Sequence, residues 1–295
     1  MNNTLKIFIT ILLQVMLINA AWAQKGKKVV VESTYKIEAS PDTRNFKLTC
    51  WLPQSFKNKQ IVDTIIFSEP PLRTISTNGT DYAEFVFADL SQGKELTVRT
   101  TMKIYECDLQ VLKEKKDSFV AQEQLDSYLK SERHIEVDDE LIQQKAYMLK
   151  GKTILSTIEN TYNFVVRHLQ YTRFPEPLGA RNALIHKEGD CTEFTDLFVA
   201  LCRANNIPAR RMYGFVINAK GNQRHNWPEA YIDKIGWVPF EVTAGNAQRF
   251  DYMKNNYVYT SIVNRDGNAK NISLYHIQYN GEKPMMKSSV VFKNK

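Results

Sequence analysis

Hydrophobic and polar positions alternate along residues 24 to about 108. Every second position is apolar in several stretches, as in the run Phe46, Leu48, Cys50 and Leu52. These stretches are rich in Val, Ile, Thr, Phe and Tyr, and turn signals such as Pro70-Pro71 and Gln92-Gly93 separate them. Period-two alternation with frequent turns predicts short strands packed as a small β-sandwich. We expect this 24–108 region to serve as a scaffold or to bind a partner.

The pattern takes on a helical period after a polar connecting segment, residues 109–136. Residues 137–152 have acidic side chains at the start, and basic side chains and Gly151 at the end, which favours one helix. A second helix is predicted behind Thr153, a candidate N-cap. Its apolar residues recur every three or four positions, at Ile154, Ile158, Tyr162, Val165 and Leu169.

A third helix is predicted to begin at Cys191, within GDCTEFTDLFVALCRANNIPARRMYGF. At 100° per residue Cys191 shares the apolar side of this helix with Phe194 and Phe198, but it lies in the first turn. Asn205-Asn206 ends the helix, and strand-like segments follow, including RRMYGFVIN, NWPEAYID and GWVPFEVT. Helices followed by antiparallel strands make residues 137–295 an α+β domain.

The N-terminus has the features of a secretory signal. Lys6 precedes an apolar run that reaches Ala20, and Ala21-Trp22-Ala23 forms an A-x-A site. We expect residues 1–23 to be a signal peptide cleaved before Gln24, and the protein to be secreted or periplasmic. The alternative is an uncleaved anchor, but the run is short and polar residues interrupt it. No later segment approaches ~20 apolar residues, so no membrane span is expected after signal removal.

Composition and charge narrow the class of partner. The chain has 43% hydrophobic and 24% charged residues, which is typical of a globular protein. Its net charge of +7 is mild for 295 residues, and neither a long Lys/Arg block nor a nucleic-acid-binding motif accompanies it. We therefore expect no nucleic-acid partner. The oligomeric state is left open.

Four cysteines raise the question of disulfides, which export permits. Cys191 and Cys202 are eleven residues apart on one predicted helix, or ~16 Å, which is too far for a bridge. Strand alternation points Cys50 inward and Cys107 outward, although a bulge would let them pair. A Cys50–Cys107 disulfide stays open, and Cys191 is left without a partner.

The position of Cys191 suits a nucleophile. A helix N-terminus favours a thiolate through its free N–H groups and its dipole, and a nearby imidazolium favours it further. His225 follows a turn and begins a strand, and Glu241 lies on the next strand, where it could orient the imidazole. A lone cysteine in an apolar stripe is more often packing than catalysis, so it is the ordered set that carries weight.

Three segments in this order resemble the transglutaminase-like superfamily, in the form of a bacterial-type exported member. They are the Gly-Asp-Cys entry to a helix with its Ile-Pro-Ala-Arg exit, the His-x-Trp strand, and GWVPFEVT. The resemblance covers about residues 140 to 245 and implies a papain-like core. It implies Cys191 as nucleophile, His225 as base and Glu241 in place of the usual Asp, one methylene longer. Trp227 and Glu229 match residues that we interpret as structural.

The resemblance implies a cysteine acyl-transfer enzyme that attacks a peptide or carboxamide carbonyl of a protein or peptide substrate through a thioester. Water as acceptor gives a protease or amidase, and an amine gives cross-linking. Hydrolysis is favoured because no second docking tract for an acceptor is visible. We expect the Cys191 N–H and the Tyr171 side chain as oxyanion donors. No metal or cofactor is expected.

Two rival functions fit parts of the sequence. One is a catalytically weak or inactive module of the same fold that binds a peptide or glycan at the cell envelope, for which the Asp-to-Glu change leaves room. The other is a purely structural envelope protein, which leaves the Cys191, His225 and Glu241 set without a purpose.

Overall fold

The computed structural model describes residues 25–77, 80–114, 125–218, 221–243, 249–263 and 274–294. The predicted signal peptide, residues 1–23, lies outside this part of the chain. None of the helices within these ranges has both the length and the apolar character needed to cross a membrane.

Two four-stranded antiparallel sheets form an N-terminal sandwich. One has the order β16-β1-β6-β3 and the other β15-β2-β5-β4. The strands are β1 (Gly26–Ile37), β2 (Ser40–Leu52), β3 (Gln60–Phe67), β4 (Arg73–Thr77), β5 (Thr80–Leu90), β6 (Lys94–Tyr105), β15 (Tyr275–Gly281) and β16 (Met286–Asn294).

Alternation along the strands builds the sandwich core, as the sequence predicts. Leu96 and Val98 of β6 are buried, as are Phe46 and Leu48 of β2, while the residues between them are more exposed. Side chains of successive strand residues point to opposite faces, so each sheet presents one apolar face to the other.

The last two strands correct the predicted domain boundary. The sequence assigned everything from 137 to 295 to the C-terminal domain, but β15 pairs with β2 and β16 pairs with β1. The register from Val29↔Asn294 to Ile37↔Met286 makes β16 an edge strand of the first sheet. A strand pattern indicates that a segment will pair with another strand but not which sheet it joins, so the return of β15 and β16 to the sandwich was not predictable from it.

The second unit consists of helices and a mixed set of strands. Its helices are α1 (Leu109–Glu114), α2 (Glu140–Leu149), α3 (Ile154–His168), α4 (Ala180–His186) and α5 (Cys191–Ala204), with a 3₁₀ turn at Asp126–Leu129. Its sheet has the order β12-β11-β10-β14. The strands are β7 (Cys107–Asp108), β8 (Gln170–Tyr171), β9 (Glu188–Gly189), β10 (Ala209–Asn218), β11 (Gly221–Ile232), β12 (Gly236–Pro239), β13 (Tyr252–Met253) and β14 (Tyr257–Val263).

The three helices that the sequence predicts are present, and α3 has the expected Thr153 cap. Asp139 caps α2, and Thr153 caps α3 in a capping box with Ser156. The α5 helix is buried on all sides from Glu193 to Arg203, more than the predicted single apolar stripe. It packs against α2, α3 and α4 as well as β10 and β11, so its polar residues are buried too.

A third apolar cluster joins the sandwich to the second sheet. Trp51 and Met102 of the sandwich pack with Phe215 and Val258. The Gln60 side chain donates from Nε2 to the Tyr259 carbonyl oxygen at 3.1 Å and accepts from the Tyr259 N–H at 3.0 Å. The two units therefore share a continuous interior.

All four cysteines are free. Cys50 lies in the core of the sandwich, whereas Cys107 is buried in the core of the second unit. The open alternative of a Cys50–Cys107 disulfide is therefore not realised. The expectation that Cys107 points outward is also wrong, because β7 leaves the sandwich and pairs with β13.

Candidate active site

Cys191 is the first residue of α5 and is partly exposed. Asp190 caps the helix, and its carboxylate accepts the Thr192 N–H at 2.7 Å. Glu193 returns the contact by accepting the Asp190 N–H at 3.0 Å, which completes a capping box. The first N–H groups of a helix have no acceptor within the helix, and the Cys191 N–H is one of them.

Gly189 lets the chain approach this helix closely. A Cβ added at Gly189 would lie 2.2 Å from the Glu193 Cβ, which no side chain could accommodate without movement of the backbone. The Gly-Asp-Cys order thus has a local cause. Gly189 allows the chain to pass close to Glu193, Asp190 caps the helix, and Cys191 occupies its first turn.

His225 and Glu241 meet as the strand order predicts. His225 lies on β11, and Glu241 lies two residues beyond the end of β12, its neighbour in the sheet. The distance from His225 Nε2 to Glu241 Oε2 is 2.8 Å, and both side chains are almost fully buried. The longer carboxylate therefore reaches the imidazole directly.

Two further groups hold the Glu241 carboxylate. The Tyr257 hydroxyl donates to Oε2 at 2.5 Å, and the Thr243 N–H donates to Oε1 at 2.9 Å. Burial acts to raise the pKa of Glu241, but His225, Tyr257 and Thr243 outweigh burial and lower that pKa below its usual value. The carboxylate stays ionised and fixed in place.

His225 also hydrogen-bonds the Cys191 side chain. Because Glu241 engages Nε2, Nδ1 is the ring nitrogen left for the sulfur. Burial acts to lower the pKa of His225, but Glu241 and Cys191 overcome it and raise that pKa to about 10. The imidazole is therefore protonated at neutral pH.

The position of Tyr171 does not match the oxyanion role that the sequence suggested. It lies on β8, which pairs with β9 next to Gly189, so its backbone is close to the helix entry. Its side chain is exposed, and its hydroxyl accepts from Arg173 Nε at 3.4 Å. Among the contacts of the described residues, none joins the Tyr171 hydroxyl to Cys191.

Trp227 and Glu229 lie on the same strand as His225 and are fully buried. Trp227 packs edge-on against the rings of Tyr257 and Tyr259. Glu229 pairs with Lys59 at 2.8 Å and with Arg210 at 2.7 Å. These contacts agree with the structural interpretation of both residues.

Two neighbours of the site were missed from the sequence. Tyr257 was part of a strand candidate, YVYTSIV, but only the sheet order places it over Glu241. Asn226 follows His225 directly, and its Nδ2 lies 3.9 Å from Cys191 Sγ and 3.1 Å from Thr192 Oγ1. Strand alternation alone gave no reason to expect that the consecutive residues His225 and Asn226 would both reach the Cys191 sulfur.

The described residues contain no cluster of three or more His, Cys, Asp or Glu side chains arranged to hold a metal ion. The chemistry available at the site itself comes from the thiol, the imidazole, the carboxylate and nearby N–H donors.

Comparison with known proteins addresses the family. Residues 143–242 match the model of the transglutaminase-like superfamily. YebA of Bacillus subtilis, itself uncharacterized, is 33% identical over 73 residues, or 20% of this chain and 10% of YebA. An uncharacterized Haemophilus influenzae protein is 27% identical over 146 residues, or 39% of this chain and 38% of that protein. The chain thus spans well under half the length of either relative.

A solved structure extends the likeness of fold to nearly the whole chain. It is a candidate cysteine protease from Cytophaga hutchinsonii, 18% identical, with a TM-score of 0.61 over 92% of this chain and 91% of that one. The fold is α+β with a transglutaminase-like core, as the sequence predicts. Residues 143–242, the segment that matches the model of the transglutaminase-like superfamily, contain Cys191, His225 and Glu241.

Proposed function

We propose that the protein is a cysteine acyl-transfer enzyme that acts on a peptide or carboxamide bond through a thioester. One observation carries the proposal: a buried His225 lies between the Glu241 carboxylate and the sulfur of Cys191 at a helix N-terminus. The matched family and the fold support a cysteine enzyme in general. The roles of the three residues are part of this proposal.

The arrangement of the side chains suggests a role in the reaction for Cys191 and for His225. The Cys191 thiolate attacks the carbonyl carbon, and the resulting oxyanion lies near the Cys191 N–H. His225 gives its proton to the departing amine, which leaves a thioester and a neutral imidazole. The neutral imidazole then takes a proton from water as the water attacks the thioester. The acid product leaves, and the thiolate–imidazolium pair is restored.

Hydrolysis is the favoured outcome within this proposal, because water needs no second binding site. An amine acceptor would enter at the same step and give a cross-link instead. The substrate class is a protein or peptide, and the compartment is the periplasm or the exterior. The Lys6 start, the apolar run and the A-x-A site support that location.

A binding module without catalysis is the second candidate, suggested by Glu in place of Asp. The 2.8 Å contact between His225 and Glu241 favours the enzyme, because the longer side chain still reaches the base. The added Tyr257 contact restricts the carboxylate further.

The test is turnover of a peptide library by the protein lacking residues 1–23, with and without a primary amine. Mass spectrometry distinguishes hydrolysed products from amine-linked products. We expect hydrolysis by the wild type and none by Cys191→Ala. If neither product forms, or if Cys191→Ala is equally active, the enzyme proposal is wrong.

A further inference from the structure

A buried carboxamide contacts the proposed nucleophile. Asn226 is 8% exposed, and its Nδ2 lies 3.1 Å from Thr192 Oγ1 and 3.9 Å from Cys191 Sγ. Its neighbour His225 contacts the same sulfur. Successive strand residues normally point to opposite faces of a sheet, yet these two neighbours both reach the sulfur of Cys191.

The chemistry of a primary amide suits this place. Its NH₂ group carries two donors, so one N–H can bind Thr192 while the other points towards the sulfur. A donor bound to an anion forms a stronger hydrogen bond than one bound to a neutral thiol. The amide does not titrate, and it therefore donates to the sulfur at every pH at which the protein is folded.

The other end of the same amide indicates that packing is not its purpose. Asn226 Oδ1 is buried, and no hydrogen-bond donor reaches it among the described residues. A buried polar atom without a partner destabilises the folded state. A small apolar side chain would avoid that penalty, so the benefit of Asn226 lies in its donor end, which faces Thr192 and Cys191.

We propose that Asn226 is an additional catalytic residue, whose Nδ2–H donates to the Cys191 thiolate and favours the anion together with His225. This inference rests on Cys191 being the nucleophile of the proposed function. In this inference the side chain that donates a hydrogen bond to the sulfur is Asn226, which lies on β11 together with His225, and not Tyr171.

The test is the rate at which iodoacetamide alkylates Cys191, followed from pH 5.5 to 9 by peptide mapping. Mapping separates Cys191 from the three buried cysteines, Cys50, Cys107 and Cys202. At pH 7 we expect Asn226→Ala to react about tenfold more slowly than the wild type, as for loss of a hydrogen bond to a charged group. The two rates should converge at high pH, where the thiol is ionised in both proteins.

Asn226→Asp is nearly isosteric and puts a negative charge beside the sulfur. We expect it to react more slowly than Asn226→Ala at pH 7, because like charges repel. Asn205→Ala is the matched control. Asn205 donates to the Ala146 carbonyl oxygen at 2.8 Å at the far end of the same helix, so its loss weakens the fold without touching the sulfur. Its alkylation rate should equal that of the wild type.

The outcomes separate this inference from the proposed function. Suppose that the wild type reacts faster than free cysteine and that Asn226→Ala and Asn226→Asp both react as fast as the wild type. The Asn226 inference is then overturned, and the proposed function stands. If wild-type Cys191 reacts no faster than free cysteine, the proposed function itself fails. If Asn226→Ala does not fold by circular dichroism, Asn226→Leu, which keeps the volume and removes the N–H donors without adding charge, decides: slower alkylation of Cys191 supports the inference, and a wild-type rate overturns it.

Discussion

His225 Nε2 lies 2.8 Å from Glu241 Oε2, although the carboxylate is one methylene longer than the Asp usual at this position. The Thr243 N–H, beyond the end of β12, donates to Oε1, and the Tyr257 hydroxyl, on β14, donates to Oε2. The carboxylate that contacts the base is therefore held by two further donors.

Two substitutions of Glu241 should distinguish the effect of its negative charge from the effect of its contact with His225. Glu241→Gln removes the charge that supports the imidazolium, and we expect a loss of one or more orders of magnitude in kcat/KM. Glu241→Asp keeps the charge but falls short of His225 and Tyr257, so its activity should lie between Glu241→Gln and the wild type. An Asp variant less active than the Gln variant would contradict this order.

The two cysteines of α5 should behave in opposite ways. Cys191→Ala should abolish turnover and leave the fold intact, because Cys191 is partly exposed at the helix start. Cys202 is fully buried three turns along, and burial raises its pKa well above the usual value. Cys202→Ala should lower the free energy of unfolding by about 1–2 kcal/mol as a small cavity, with activity retained.

Loss of activity in folded Cys202→Ala protein would show that the wrong thiol was chosen. Thermal unfolding and a turnover assay, each carried out on Cys191→Ala and on Cys202→Ala, measure the stability and the activity of both variants.

Stability should depend on pH through the His225–Glu241 pair. The pKa of His225 rises from its usual 6.5 to about 10, so its contribution is complete below pH 6.5 and is lost as pH rises towards 10. The pKa of Glu241 is lowered from 4.5, so its contribution is present above pH 4.5 and is lost as pH falls below that value.

The pH window follows from these signs. The difference in melting temperature between the wild type and Glu241→Gln should be largest between about pH 4.5 and 6.5 and should shrink towards pH 10. In Glu241→Gln only Cys191 still opposes the effect of burial on the pKa of His225, so the alkaline limb of activity should move to lower pH. A difference in melting temperature that grows with pH would contradict the sign.

The sandwich should stabilise the site domain through Lys59. Lys59 and Arg210 both pair with Glu229, and all three are buried. Glu229→Gln leaves two buried cations unpaired and should destabilise by about 3–5 kcal/mol. Lys59→Met leaves Glu229 its Arg210 partner, so its cost should be clearly smaller. Urea denaturation of both variants tests the order, and an equal or larger cost for Lys59→Met would contradict it.

Sequence patterns predicted the elements better than their partners. Alternation and helical period identified strands β1, β2, β3, β5 and β6 and helices α2, α3 and α5. The segment motifs singled out Cys191 on α5, His225 on β11 and Glu241 just beyond β12, which meet in the fold. The joining of β15 and β16 to the sandwich depends on long-range pairing, which no local pattern encodes. For the same reason Tyr257 was missed, since it comes from another strand of the sheet.

The Tyr171 prediction shows the limit of reasoning from position along the chain. Pairing of β8 with β9 does bring the Tyr171 backbone next to Gly189, but the side chain points to solvent and Arg173. The donor beside the sulfur is Asn226, which lies 35 residues after Cys191 in the chain. Side-chain direction at the end of a two-residue strand depends on packing that the sequence does not show.

The most direct test of Cys191 activation by His225 is the alkylation rate of Cys191 by iodoacetamide at pH 7, in the wild type and in His225→Ala. We expect the wild-type thiol to react about tenfold or more faster than free cysteine, and the variant to lose that advantage, because the imidazolium that favours the thiolate is gone. A wild-type rate equal to that of free cysteine, unchanged in His225→Ala, would contradict the enzyme proposal and favour the binding module.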